Sequence, residues 1–107
     1  MNQGDVYWYT FKQPDKLRPV LILTRTSAIS YLTSITVAPL TTAIRGIPTE
    51  VILTPEDGVE TACAVNLDNL QTISKSNLNA FITHLPTEKM YEVRLAISFA
   101  LGFDALV

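Results

Sequence analysis

Arg18 is the side chain in this sequence best placed for chemistry on an anion. It stands directly before Pro19, at the predicted mouth of a loop, where the apolar run 20–23 begins. Because proline pushes the preceding residue toward extended backbone, the guanidinium can leave the chain only in a restricted set of directions. An arginine held in this way can bind an anion. On local grounds alone, a surface ion pair with an acid such as Asp15 is the commoner outcome.

Two hydroxyls and a second guanidinium accompany Arg18 in the predicted order of elements. Thr41 and Thr42 directly follow the extended stretch from Ile35 to Leu40 that contains the third predicted strand, and Arg45 lies in the next loop. Residues at loop–strand junctions meet at one end of a sheet, so these side chains predict an anion site there. A simple turn after a strand remains the competing interpretation of the two threonines.

Other common catalytic groups are scarce in the sequence. His84 and Cys63 are the sole histidine and cysteine, and their spacing builds neither a metal site nor a Cys-His pair. We expect a strand-end histidine and a buried cysteine. We also expect the acids Glu56, Asp57 and Glu60 to lie in a solvated turn rather than to form a glycosidase pair. We predict no metal and no cofactor, which leaves a metal-free activity or pure binding.

Length and composition predict one domain over residues 1–107. The chain is 48% hydrophobic and 17% charged, which is typical of a globular protein. Its formal net charge of -2 gives no overall attraction to nucleic acid, so any polyanion site needs a local concentration of Lys and Arg. The single cysteine, the polar start and the lack of a long apolar run favour a soluble cytoplasmic protein with no membrane segment.

The residue pattern predicts strands followed by one C-terminal helix. Stretches rich in β-branched and aromatic residues predict strands at 6–11, 19–26, 34–38, 49–53, 61–65 and 80–84, with a short extended piece at 69–73. Ser74 can cap a single helical turn after that piece. Pro86, Glu88 and Gly102 bracket a helix over 87–101. The fold class is therefore mainly β (α+β), a small twisted antiparallel barrel or strongly curled sheet with a C-terminal helix.

The predicted helix carries two apolar stripes. One holds Met90, Val93, Ile97 and Leu101, and the other holds Tyr91, Leu95 and Phe99. Two stripes are wider than one core-facing seam requires. We therefore expect one stripe to pack on the sheet and the other on a second subunit.

Four blocks of sequence, in order, resemble the MazF/PemK family of toxin endoribonucleases. They are GDVYW at 4–8, LRPVLI at 17–22, VAPLT at 37–41 followed by PTEV at 48–51, and AVNLDNLQTI at 64–73. The resemblance runs from Gly4 to Leu101. It implies an SH3-like plasmid-toxin barrel, a homodimer and metal-independent, sequence-specific cleavage of single-stranded RNA. It also implies an antitoxin partner of the MazE/PemI type, with operator DNA bound only through that antitoxin.

The resemblance also assigns roles to residues. The family's essential arginine falls on Arg18 and its essential threonine on Thr41, with Thr42 as the neighbouring alternative. Cleavage by a 2′-hydroxyl gives a 2′,3′-cyclic phosphate and a 5′-hydroxyl through a state with extra negative charge. A guanidinium can stabilise this charge, and a threonine hydroxyl can donate to a phosphoryl oxygen. The groups that transfer protons stay open.

RNA binding needs stacking faces and amides, and the sequence offers several candidates. These are Phe11, Lys12 and Lys16 in the predicted first loop, with Asn69 and Gln71 near the site. Ordinary solubility is an equally good explanation of the lysines. The chain has Gln71 where many relatives carry a basic residue, and Arg25-Thr26-Ser27 where many have a different polar sequence. Both differences bear on RNA sequence preference.

Two other functions remain open on this fold. A gyrase poison like CcdB shares the fold, but that family relies on a C-terminal Trp-Gly-Ile, whereas this chain ends with residues 103–107, FDALV. A barrel without catalysis, serving only to bind RNA or an antitoxin, is the second alternative.

Overall fold

A computed structural model describes residues 1–11 and 16–105. Over these residues the chain forms seven strands, two α-helices and three 3₁₀ turns. The strands are β1 (Asp5–Phe11), β2 (Lys16–Ile22), β3 (Ser34–Thr41), β4 (Glu50–Leu53), β5 (Cys63–Asn66), β6 (Gln71–Ser74) and β7 (Leu78–His84). The helices are α1 (Thr26–Ile29) and α2 (Thr87–Ala100), and the 3₁₀ turns are Pro55–Asp57, Lys75–Asn77 and Phe103–Ala105.

The strands form one antiparallel sheet with β3 near its centre. The order is β4-β5-β3-β2-β1-β7, and β6 pairs with β3. One edge of β3 pairs with β2, while β6 and β5 share the other edge, β6 at residues 34–37 and β5 at residues 40–41. Over the described residues the sheet is roughly barrel-like and does not close. The prediction of a mainly β fold with a C-terminal helix is confirmed.

Two apolar clusters lie on opposite faces of the sheet. Because successive strand residues point to opposite faces, Leu21 joins the cluster under α2, while Val20 and Ile22 join the cluster with α1. All three are fully buried. The prediction that this run is buried on both faces is therefore correct.

The second strand begins and ends earlier than predicted, and Arg18 lies inside it rather than at a loop mouth. The β1–β2 ladder starts at the pair Phe11 and Lys16, so the strand already includes Lys16. At the other end the Thr24 hydroxyl accepts the Thr36 amide at 2.8 Å and replaces a ladder bond. Helix α1 follows, and no pattern in the sequence had predicted it.

Smaller differences concern β3 and the turn after β6. Strand β3 continues through Thr41 because β5 pairs with Leu40 and Thr41, so Thr41 is its last residue and not the residue after it. A helical turn does follow Ser74. However, the Ser74 hydroxyl lies 2.9 Å from the Ser76 hydroxyl and caps no backbone amide.

Helix α2 uses one of its two apolar stripes against the sheet. Val93 is buried, and Met90 and Ile97 pack on the same core. Leu101 lies beyond the end of the helix and is 51% exposed, so its assignment to the packed stripe is wrong. The other stripe, Tyr91, Leu95 and Phe99, is half exposed. No helix in the described part of the chain has the length and apolar character of a membrane span.

The histidine and the cysteine have structural surroundings. His84 ends β7, as predicted, and its Nδ1 lies 2.7 Å from Asp5 Oδ1. Cys63 is buried, also as predicted. Burial, and secondarily the negative charge of Asp57, raises the pKa of the Cys63 thiol.

Candidate active site

Arg18 and Thr41 lie just beyond the paired part of β2 and β3. The ladder pairs Val20 with Pro39 and Ile22 with Val37, and each of the two residues stands two positions past the pair of Val20 with Pro39. Alternation puts Arg18 on the face of Val20, and Thr41 on the face of Val37. Strand β3, buried over most of its length, and β2, buried from Val20 to Ile22, thus carry a hydroxyl and a guanidinium to the same cleft.

A cleft of about 580 Å³ opens at this end of the sheet. It is lined by basic, amide, hydroxyl and apolar groups: Phe11, Lys16, Arg18, Pro39, Leu40, Thr41, Ala43, Arg45, Asn66, Asn69 and Gln71. Three of the eight Lys and Arg residues are in this set, and none of these lining residues is an acid. Although the chain has a net charge of -2, the described lining of this cleft has three cationic side chains and no acid, which suits a polyanion.

The β1–β2 hairpin supplies one wall of the cleft. Arg18 pairs with Tyr9 across the hairpin, and Lys16 pairs with Phe11. The Tyr9 and Phe11 rings meet edge to face with centroids 4.8 Å apart, which fixes the Phe11 ring at the rim. Phe11 and Lys16 are strand residues and not loop residues as expected. Lys12 lies outside the described residues.

The Thr41 hydroxyl is oriented by the backbone that follows it. Thr41 Oγ1 accepts the Ala43 amide at 3.1 Å. Since this bond uses a lone pair, the hydroxyl hydrogen remains to be donated to a ligand oxygen. Thr42 does not line this cleft. It lines a second cavity of about 460 Å³ with Trp8 and Phe81, and Thr41 lines both cavities. The structure therefore places Thr42 beside Thr41 but not among the residues that line the cleft with Arg18.

Arg45 lines the cleft from a loop whose backbone is hydrogen-bonded to the buried Glu50. The Arg45 and Gly46 amides donate to Glu50 Oε1 at 2.9 and 3.0 Å, and Arg45 Nε lies 3.5 Å from Oε2. Burial alone would raise the pKa of Glu50, but these hydrogen bonds and the Arg45 charge outweigh it and lower the pKa below its ordinary value. Glu50 is therefore a carboxylate at neutral pH.

The side-chain amides of the cleft lie at the end of β5, in the turn that follows it and at the start of β6. Asn66 Oδ1 accepts a hydrogen bond from the backbone amide of Asp68 at 3.0 Å, and the Asp68 carboxylate accepts one from the Thr49 hydroxyl at 2.6 Å. Asn69 and Gln71 line the cleft, as does Asn66, which the sequence reasoning had not selected for RNA binding. Strand alternation from the buried Ala64, followed by a polar turn, was the signal that could have identified Asn66.

The family of the chain follows from comparison with known proteins. Residues 2–101 match the family model described as a PemK-like, MazF-like toxin of type II toxin-antitoxin system. The chain belongs to this family. A named MazF relative, endoribonuclease MazF3 of Mycobacterium tuberculosis, is 41% identical over 95 residues, which are 89% of this chain and 92% of that protein. The MazF/PemK resemblance of the four sequence blocks is thereby confirmed.

Solved MazF structures share the fold. The Mycobacterium tuberculosis toxin MazF-mt6 superposes with a TM-score of 0.84 at 37% identity, covering 92% of this chain and 96% of that one. An endoribonuclease in complex with its cognate antitoxin, from a mycobacterial species, gives a TM-score of 0.85 at 27% identity and covers 95% of each chain. An endoribonuclease of this fold thus occurs bound to its antitoxin.

Proposed function

We propose that this protein is the toxin of a type II toxin–antitoxin pair and a metal-independent endoribonuclease that cuts single-stranded RNA at a short sequence. The observation that carries the proposal is the positive cleft in which Arg18 and Thr41 share the end of two paired strands. Membership of the PemK-like, MazF-like family and the endoribonuclease names of relatives support it.

The proposed reaction is a transfer of the phosphodiester within the RNA. The 2′-oxygen forms a bond to the adjacent phosphorus, and the bond to O5′ breaks, leaving a 2′,3′-cyclic phosphate and a 5′-hydroxyl. Arg18 stabilises the additional negative charge on the phosphoryl oxygens through two parallel N–H donors. Thr41 donates its hydroxyl hydrogen to one of these oxygens. The 2′-hydroxyl proton lost and the proton gained by O5′ are assigned to neither residue.

The remaining cleft residues would hold the RNA on both sides of the reacting phosphate. Phe11 offers a stacking face, and Lys16, with Lys12 beyond the described residues, offers charge to the backbone. Asn69 and Gln71, together with Asn66, offer the donors and acceptors that read base edges. The recognised RNA sequence is therefore set by the amides and the ring.

The proposed partners are an antitoxin and a second copy of the chain. An acidic, partly disordered segment of a MazE/PemI-like antitoxin would cover the cleft and compete with RNA. Operator DNA would be contacted only through this antitoxin. The exposed stripe of α2 would form a homodimer interface. The protein would act in the cytoplasm, where its RNA substrate is found.

The first test is cleavage of a single-stranded RNA pool by the purified protein in excess EDTA. We expect fragments with 5′-hydroxyl ends and 2′,3′-cyclic phosphates. Arg18→Ala should abolish cleavage while the circular dichroism spectrum and sedimentation stay unchanged. Arg94→Ala is the matched control, because Arg94 is also exposed but lies on α2 and does not line the cleft.

Other outcomes point to the alternatives. Intact RNA together with inhibited gyrase would replace the proposal with the gyrase poison. RNA bound tightly but never cleaved would favour the barrel that only binds. Unchanged cleavage by Arg18→Ala would remove Arg18 from the mechanism.

A further inference from the structure

Glu50 is an acid buried immediately behind a positive cleft. Its side chain is fully buried, and its carboxylate accepts hydrogen bonds from Arg45 and Gly46. A buried carboxylate is costly unless hydrogen bonds compensate its lost hydration, and here two backbone amides and a guanidinium do so. A buried carboxylate with these bonds restricts the conformation of the loop that donates them.

The donated bonds define the conformation of the loop. Gly46 has φ +68°, in the left-handed region, which lets its amide and that of Arg45 point at the same oxygen. Successive amides arranged in this way form a nest that binds anions. In this protein Glu50 fills the nest, so the loop is shaped by the chain itself before any ligand arrives.

Arg45 is restrained by the same carboxylate but remains accessible. Its Nε faces Glu50 at 3.5 Å, its side chain is 58% exposed, and it lines the cleft with Arg18. With Nε directed to Glu50, the two terminal amino groups of the guanidinium remain for a ligand. The bond to Glu50 therefore aims the cation and does not remove it from the site.

The start of β4 also holds the opposite wall of the cleft. Glu50 pairs with Asn66 across the β4–β5 ladder, and the Thr49 carbonyl accepts the Leu67 amide at 2.9 Å. The Thr49 hydroxyl donates to Asp68 at 2.6 Å. Residues 49–50 thus set the position of the Arg45 loop relative to the turn at 67–69, which follows β5.

We propose that Glu50 is a positioning residue for substrate binding, aiming Arg45 at a backbone phosphate of the RNA other than the one that reacts. This inference rests on the proposed endoribonuclease function. Arg45 is then an RNA-binding residue, and the buried acid Glu50 strengthens the binding of a polyanion by orienting it.

The substitution Glu50→Gln tests the inference through the sign of its effect. If Glu50 acted only by its charge, its neutralisation would tighten the binding of RNA. If it positions Arg45, binding should weaken about tenfold, the loss of roughly one charge-assisted hydrogen bond. The probe is a random-sequence 2′-O-methyl RNA, which lacks the attacking hydroxyl. Glu56→Gln removes the same charge at an exposed turn and should not weaken binding.

Salt dependence and a double-mutant cycle separate positioning from a general structural effect. Loss of one phosphate contact should lower the slope of log affinity against log salt by about 0.7 for a single strand, both in Arg45→Ala and in Glu50→Gln. In the Arg45→Ala background, Glu50→Gln should add little further loss. At subsaturating RNA, the cleavage rate should fall in all three variants in proportion to the loss of affinity.

Gly46→Ala provides a second route if Glu50→Gln does not fold. A Cβ at Gly46 meets no atom within 4 Å, so this change disturbs only the left-handed backbone of the nest. It should weaken binding in the same direction. Unchanged or tighter RNA binding by Glu50→Gln, or losses that add in the cycle, would overturn the inference while the proposed function stands. A wild-type protein that neither binds nor cleaves RNA would instead refute the proposed function.

Discussion

At the scale of single residues, the proposed chemistry depends on a hydroxyl that already has one partner. Thr41 Oγ1 accepts the Ala43 amide, which fixes where its hydrogen can point. A hydroxyl oriented before the substrate binds donates to the developing charge without a further ordering cost. The proposed role falls to Thr41, which lines the cleft, and not to Thr42, which does not.

Thr41→Val should lower the cleavage rate at saturating RNA by about a hundredfold, because one donor to the transition state is lost. Thr41→Ser keeps the hydroxyl and should retain most of the rate. Thr42→Val is the control and should cleave like the wild type. Single-turnover kinetics on a defined RNA measure all three variants. A Thr41→Val enzyme with full activity would assign the donor role to another group.

The sequence alone identifies the candidate residues of the site, but it predicts only in part which of them line the same cleft. The sequence predicts Arg18 and Thr41 as candidates, whereas the distinction between Thr41 and Thr42 depends on where β3 ends. The strand ends at Thr41, which pairs with Ala64, so Thr42 falls outside it. The contact of Glu50 with Arg45 was not predictable from sequence, because the four residues 46–49 that separate them follow no regular pattern.

At the scale of elements, strands were predicted far better than their ends. The second strand was placed at 19–26 because the apolar run marks it, yet it begins at Lys16. Cross-strand pairing with β1 extends a strand into polar residues, since ladder bonds do not depend on side-chain type. Helix α1, of four residues, is too short to leave a periodic pattern.

A close approach between two elements yields a stability prediction at Gly58. Gly58 ends the 3₁₀ turn Pro55–Asp57 with φ +95°, and an added Cβ would overlap the Thr83 hydroxyl on β7. That hydroxyl also donates to the Asp57 carbonyl at 3.0 Å. The turn and the strand are therefore packed with no room for a side chain between them.

Gly58→Ala should lower the free energy of unfolding by about 2–4 kcal/mol, combining left-handed strain with the overlap. Gly46→Ala is the matched control, since it brings comparable strain without any overlap, and should cost only about 1 kcal/mol. Urea denaturation followed by circular dichroism measures both. Equal losses in the two variants would show that Thr83 moves aside without cost.

At the scale of the whole molecule, helix α2 leaves an apolar surface uncovered. Tyr91, Leu95 and Phe99 are 49–57% exposed, and Phe103 beyond the helix is 59% exposed. A cluster of this kind on a small protein is typical of an interaction surface. The sequence had predicted two stripes with different partners, and the sheet packs against only one of them.

Leu95→Lys should convert the proposed homodimer to monomer. In a two-fold interface each substitution acts twice, so a loss of about 1.5 kcal/mol per side chain raises the dimer dissociation constant about a hundredfold. Sedimentation equilibrium measures this constant. Tyr31→Lys, on a residue that is 68% exposed and far from α2 in sequence, is the control. A dimer that persists in Leu95→Lys would locate the interface on another face.

The division of the cleft between strands and loops has a consequence for how such a protein can change. Arg18 and Thr41 belong to neighbouring strands whose interior residues are core, so their spacing is protected by the stability of the fold itself. Arg45 and Asn69 belong to connections, which tolerate substitution and insertion more readily. Changes in these connections could therefore alter which RNA is bound, by evolution or by loop grafting, while the proposed catalytic pair stays in place.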